Sequence, residues 1–384
     1  MTIPADKEST AKGLKIGLLV YLFSLFAIFL NTSAFFRAYL FAWLFWCGMG
    51  LGGFGLLMLH HLVGGRWGFP VRRFFEAAIR TIPFVAIGFI PLLFGLHDLY
   101  HWASPAAIQS SEVLQRKQVY LNLPFFIIRI IAYFAIWLWM MHTLSLWSRK
   151  QDGTKDPEPT RRLRTFSGPG ICLFFLTATF ANIDYILSLE AEWYSTIFPA
   201  IVIIGNAVAM LALSIVLLAS RRNERSYSSW LSPDVWHHLG NLLLAFVMLW
   251  AYLVFSQLLV IYSGNLPHEI VWYLHRSQGG WKVVALLLGL LHFAVPFALL
   301  LSRQNKRKEL ILVRIAILVI IAHILDLYWL VIPSFSPDAV RLHWQEVLLF
   351  LSMGAVWVPA FLNNFASEPP IPLNDPRVPR AIPI

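Results

Sequence analysis

Two carboxylic acids sit inside segments of this chain that are otherwise apolar: Asp184 within Phe174 to Leu189, and Asp326 within Ile311 to Ile332. An acid in a stretch long enough to cross a bilayer is costly. It therefore faces a protein interior or a wet cavity and marks a functional hypothesis by default. The chemistry open to such a group is proton uptake and release, or the anchoring of a polar ligand.

The neighbours of each acid sharpen the alternatives. Ser188 lies at i+4 from Asp184 and shares its helical face, Asn182 is close by, and Glu190 and Glu192 continue an acidic path to the surface. This pattern suits a proton relay. It equally suits an aspartate that glues two helices together, with both glutamates merely solvated at a helix end. Asp326 has His323 one turn back at i−3, and Tyr328 follows it. An imidazole and a carboxyl on one face can pass a proton or hold a polar ligand such as a quinone carbonyl, or can form a buried registry pair. Arg129 is too deep in its segment to be a helix-end residue, and Asp184 or Asp98 could neutralise it. His292 has Pro296 at i+4, which frees the His292 carbonyl for water or a polar partner in a wet path.

Metal chemistry finds little support in the sequence. Cys47 and Cys172 are far apart and form no CxxC or CxxCH, so no covalent haem, zinc ribbon or cysteine-bound iron–sulfur cluster is signalled. Membrane haem needs histidines facing each other at one depth. His97 and His101 lack such a partner, and His60 could meet His142 only near the basic edge. No cofactor is therefore expected in this chain.

These residues must be positioned by membrane helices. Of 384 residues 58% are hydrophobic and 13% charged, and the mean hydropathy is +0.66. Windows of about 20 apolar residues give ten spans, near residues 14–32, 38–63, 77–97, 121–147, 169–189, 196–220, 238–263, 282–301, 310–332 and 344–365. The first follows Lys7, Lys12 and Lys15 like a signal peptide but lacks a small-residue cleavage site, and is read as retained. The formal charge of +10 is spread over short loops, which argues for topology determinants and against nucleic-acid binding. About 22 basic residues fall on one side and about six on the other, so both termini are expected in the cytoplasm. The loop from Asp98 to Tyr120 has room for a short interfacial helix. The proline-rich tail from Glu368 is expected to lie along a neighbouring chain or to be disordered.

On this topology Asp184 and Asp326 lie roughly 8–10 Å short of the outer ends of helices five and nine. Their helices are four positions apart, an even number, so helices 2–5 and 6–9 are expected to form parallel repeats. The expectation is an all-α integral membrane protein of two four-helix bundles flanked by helices 1 and 10. Its boundaries are 1–37 for the tail and first helix, 38–195 and 196–335 for the bundles, and 336–384 for the last helix and tail. In the second helix, Gly48-x-x-x-Gly52 with Gly50, Gly53 and Gly55 reads as a close-packing surface. Trp193–Tyr194, Trp272–Tyr273 and Trp281 read as an interfacial belt.

Three segments carry a family resemblance. They are Asn182 to Phe198 (Asn-Ile-Asp-Tyr-Ile-Leu-Ser-Leu-Glu-Ala-Glu-Trp-Tyr-Ser-Thr-Ile-Phe), His238 to Gln257 running on to Gly264–Glu269, and Leu325 to Pro333. Together with Pro370 to Arg377 they resemble the ActF subunit of bacterial alternative complex III, a quinol-oxidising electron-transfer complex. The resemblance covers the second half and the fifth helix, while the first four spans match only in layout. It implies a fold like the polysulfide reductase membrane anchor. It also implies a sister membrane subunit that holds the quinol site, and haem c and iron–sulfur clusters in partner subunits on the outer side. A quinone is possible but is not assigned to this chain. The positions that match the family motifs are Asp184, Ser188, Glu190, Trp193, Ser195, Thr196, Asn241, Tyr252, Ser256, Gln257, Asp326 and Tyr328. Two departures are Ala191, where a proline is frequent, and His238, where an aspartate often follows the histidine.

The functional expectation is thus an accessory subunit of a quinol:electron-acceptor oxidoreductase. It would scaffold its sister subunit and offer a proton path through Asp184, Ser188, Glu190, His292, His323, Asp326 and Tyr328. A stand-alone ion-coupled transporter is the rival.

Overall fold

The computed structural model describes residues 7–228 and 231–377. The last part of the tail, 378–384 with Arg380, lies outside them. Among the described residues ten helices are long and apolar enough to cross a membrane: α1 Glu8–Phe29, α2 Thr32–Val63, α3 Arg72–Leu93, α4 Leu123–Gly153, α5 Glu158–Tyr185, α6 Phe198–Ser220, α7 Pro233–Gly264, α8 Trp281–Leu301, α9 Glu309–Ser334 and α10 Trp344–Ala366. Among the described residues there is no strand. The protein is an all-α, multi-pass membrane protein.

Local chemistry sets the helix starts. Asn31 and Asn122 cap α2 and α4 by accepting the backbone N–H of Ala34 and Phe125 at 3.0 and 2.9 Å. Proline occupies the first turn of α4, α6 and α7, where its missing N–H costs nothing. The basic segment 149–164, expected as a loop, is mostly helical, because α4 runs to Gly153 and α5 begins at Glu158. Lys and Arg are good helix formers, and both helices project beyond their apolar parts. The loop after α3 carries short helices at Pro105–Ser110 and Glu112–Lys117.

Helices α2 to α5 close a four-membered bundle in which α2 packs on α3 and α5, and α4 on α3 and α5. The second bundle repeats this plan, with α6 on α7 and α9, and α8 on α7 and α9. The bundles meet where α2 packs on α6. Glycine makes this seam possible. A Cβ at Gly52 would overlap the Asn206 backbone carbonyl of α6, and one at Gly53 would press on Ala78 of α3 at 3.2 Å. Helices 1 and 10 flank the bundles on one side, beside the first. They pack on each other, and α10 rests on α2 and α3 of the first bundle.

The tail also differs from expectation, for it docks on its own chain. Tyr227 donates to the Pro370 carbonyl at 3.0 Å, Asn374 donates to the Asp152 carbonyl at 2.8 Å, and Asp375 pairs with Arg72 at 3.1 Å. Burial opposes charge on Asp375, but its bonds to Arg377 and the nearby Arg72 hold the carboxyl below the usual range. The cause is a surplus of buried cations at the basic end. Arg72 and Arg73 share Glu76 at 2.7 and 2.6 Å, and the tail supplies further acid, including Glu368 to Arg80 at 2.8 Å.

Candidate functional site

The two aspartates occupy corresponding helices but contrasting surroundings. Asp184 lies in the last turn of α5, which leaves the α-helix at Tyr185 and continues as a 3-10 turn to Glu190. Its carboxylate is fully buried and receives a two-pronged bond from Arg129 of α4, Nε to Oδ2 at 2.9 Å and Nη2 to Oδ1 at 2.7 Å. The Tyr133 hydroxyl donates to Oδ2 at 2.8 Å. Arg129 is itself held by the Tyr120 carbonyl at 2.8 Å and lies over the Tyr120 ring at 3.8 Å. Asp98, the other candidate partner, is exposed. Planar, charge-assisted pairs of this kind are strong and geometrically specific. Ser188 bonds the Asp184 backbone carbonyl at 2.6 Å and not the carboxylate.

Asp326 has no such cation. It lies inside α9, which stays α-helical to Val331, and is 3% exposed. His323 Nδ1 is 4.0 Å from Asp326 Oδ2, and His323 Nε2 is 3.2 Å from Asn206 Oδ1 on α6. Gly205 gives the imidazole its room, since a Cβ there would lie 3.0 Å from His323 Cε1. The Trp250 indole N–H of α7 approaches the Asp326 carboxyl without closing a hydrogen bond. The Trp250 ring lies 4.0 Å, centroid to centroid, from that of His292 on α8, whose ring is 6.1 Å from that of His323. His292 is fully buried, and neither of its ring nitrogens has a partner among the described residues.

Each helix of the second bundle thus contributes one polar side chain or more to a single interior cluster. The backbone bends to present His292, because Gly289–Ala294 forms a π-helical turn just before Pro296. Such turns arise where the regular ladder is interrupted and recur at functional sites. Chemically, a carboxyl and an imidazole with an open nitrogen 4.0 Å apart can exchange a proton between Oδ2 and Nδ1 through one bridging water or a small approach of the side chains. The unpartnered nitrogens of His292 offer a further stop.

The remaining sequence candidates fall elsewhere. Glu190 is not simply solvated. It accepts from Arg276 Nη1 at 2.6 Å and Ser334 Oγ at 2.8 Å and meets His275 Nδ1 at 3.1 Å. Arg276 also donates to the carbonyls of Trp329 and Leu330, so it closes the end of α9 while holding the connector from the first bundle. Burial draws the Arg276 guanidinium below its ordinary range, and Glu190 opposes that shift. Glu192 is exposed and accepts from Ser111 at 2.7 Å. Tyr328 points towards α10, donating to the Arg341 carbonyl at 3.0 Å and to Glu346 at 3.3 Å, apart from the Asp326 cluster.

Among the residues that match the family motifs, Trp193 stacks on Trp272 at 4.7 Å and donates to the Glu269 carbonyl. Ser195 donates to Gln257, which donates to Tyr273. Thr196, Asn241 and Tyr252 are exposed and Ser256 half-buried. Sequence reasoning missed Asn206, Trp250, Tyr133 and the inward role of Arg276. Asn206 was the findable one, as the single amide in α6, whose other polar side chains are the hydroxyls of Ser214 and Ser220.

No protein-family model matches the chain, and no curated protein does. Among the described residues no three His, Cys, Asp or Glu side chains are grouped to hold a metal ion.

Proposed function

We propose that this chain is an integral membrane subunit of a quinol-oxidising complex of the alternative complex III type, and that it exchanges protons through its second bundle. The observation that carries this is the cluster of Asn206, Trp250, His292, His323 and Asp326, in which an uncompensated carboxyl meets imidazoles with open nitrogens. Oxidation of a quinol releases protons, and an apolar interior moves them only through ionisable side chains and waters. Asp184, locked to Arg129, serves as a brace in this scheme. In it, the sister subunit holds the quinol, and partner chains carry haem c and iron–sulfur clusters on the outer side of a bacterial inner membrane. Asp326→Asn in the intact complex should lower turnover or proton release while leaving the subunits associated. Unchanged turnover and proton yield would refute the path.

The π-helical turn and Pro296, which perturb α8 without breaking it, favour a second reading, an ion-coupled transporter, because irregular helix geometry near mid-membrane frees backbone groups for ion sites. Purification separates the two. A subunit brings haem absorbance with it, and a transporter purifies without colour.

A further inference from the structure

The seam between the bundles contains a small void of about 10 Å³, walled by α2, α5, α6 and α9. A volume of that order holds one water if two to four polar groups meet it. Three of its lining residues are polar and belong to different centres: Asn182 and Tyr185 adjoin the Asp184 ion pair, and Asn206 bonds His323. All three are at most 4% exposed. The Tyr185 hydroxyl is buried and has no partner among the described residues. Asn182 spends its amide N–H on the Ala178 carbonyl at 2.7 Å, which leaves its Oδ1 as an acceptor. Asn206 accepts from His323 through Oδ1, which leaves its amide N–H as a donor. Gly48 keeps the space open, since a Cβ there would overlap the Asn206 amide.

From these groups we infer a single-water site in the seam, in which one water accepts from Asn206 Nδ2, donates to Asn182 Oδ1 and bonds the Tyr185 hydroxyl. A buried water typically makes about three such bonds, and leaving the hydroxyl unsatisfied would cost about 1–3 kcal/mol. The site does more than fill space. It joins the His323–Asn206 hydrogen bond of the second bundle, whose imidazole lies 4.0 Å from Asp326, to Tyr185, the residue that follows Asp184 on α5, so a hydrogen-bonded bridge crosses the seam between the surroundings of the two buried acids. A network of this kind polarises as one unit. The role in proton exchange rests on the proposed function above, whereas the water site itself does not.

Two measurements on the full-length protein in lipid nanodiscs test this. The first is a density map sharp enough to show ordered waters. A peak within hydrogen-bond distance of Tyr185 Oη, Asn182 Oδ1 and Asn206 Nδ2, absent from Tyr185→Phe, is expected. An empty seam in the wild type overturns the site. The second is infrared spectroscopy of the Asp326 carboxyl, identified as the band lost in Asp326→Asn. Tyr185→Phe preserves the ring volume and should shift that band. A band that stays in place, in a protein that melts like wild type, overturns the coupling of Tyr185 to the Asp326 cluster across the seam. If Asp326→Asn leaves turnover intact while the water and the shift are found, the proton path fails and the water site stands.

Discussion

Removing Arg129 distinguishes the two aspartates most directly. Arg129→Met keeps much of the side-chain length but deletes the bonds at 2.9 and 2.7 Å to Asp184 and the bond at 2.8 Å to the Tyr120 carbonyl. The fully buried Asp184 carboxylate then keeps only the Tyr133 hydroxyl. Breaking a buried pair from one side costs about 3–5 kcal/mol, because an uncompensated charge stays behind. Asp326→Asn strands no cation, so it should cost about 1 kcal/mol or less, the worth of an ordinary hydrogen bond. The assay is thermal or denaturant unfolding of the purified protein in one detergent. Arg129→Met should melt far below wild type and Asp326→Asn close to it. The double variant Arg129→Met with Asp184→Asn removes the stranded charge and should regain at least about 2 kcal/mol over Arg129→Met. A double variant no more stable than Arg129→Met, or an Asp326→Asn variant as damaging as Arg129→Met, would refute the brace assigned to Arg129 and Asp184.

Three further outcomes follow from the same geometry. The Asp375 carboxyl is held below its usual range, so its contribution is complete above the ordinary value of about 3.9 and is lost only as pH falls through the lower folded value. A spin label at position 373 should therefore stay immobile from neutral pH down to about pH 4, whereas Asp375→Asn should free it at neutral pH. Gly52→Ala places a methyl group on the Asn206 carbonyl across the seam and should cost about 1–3 kcal/mol; Gly153→Ala, with open space around it, should leave the melting temperature near wild type. Arg276→Ala removes donors to Glu190, Trp329 and Leu330, and each charge-assisted bond is worth about 1.5–3 kcal/mol. Hydrogen exchange should then rise at the end of α9 and in the 186–197 connector while the basic end stays protected.

Much of the architecture was legible because membrane insertion writes itself into composition. Ten apolar windows became ten helices, and the Gly48-x-x-x-Gly52 surface is where α2 meets α6. Helix ends were less legible, since charged residues such as those of 149–153 and 158–164 continue a helix past the apolar stretch that defines the window. The site was half legible. Sequence gives the i−3 spacing of His323 and Asp326, but not what faces them. Asn206 and Trp250 reach the cluster only because α6 and α7 turn those faces inward, and Trp250 reads as an apolar residue in any hydropathy window. The docked tail was invisible for a related reason. Its proline-rich composition suggests an extended chain, whereas its place is fixed by Asp375 meeting Arg72, 303 residues away.

The contrast between the bundles has a physical logic that follows from one position. In the first, α4 carries Arg129 opposite the acid of α5, and the pair, once formed, has little reason to open: separating it would strand two charges away from water. In the second, α8 offers no arginine among Trp281–Leu301. It presents His292 on an interrupted stretch of helix, a group that carries charge in one protonation state only. A fixed cation makes an acid structural. A histidine leaves the acid's charge conditional on where one proton resides, and the equilibrium between those placements is what a moving proton requires. Leu288→Arg, at a buried position of α8 four residues before His292, introduces a permanent cation on that helix; it should stabilise the fold less than Arg129 stabilises its own bundle and should abolish any proton exchange. Persistence of exchange in a correctly folded Leu288→Arg protein would show that the charge asymmetry of the two bundles does not control it.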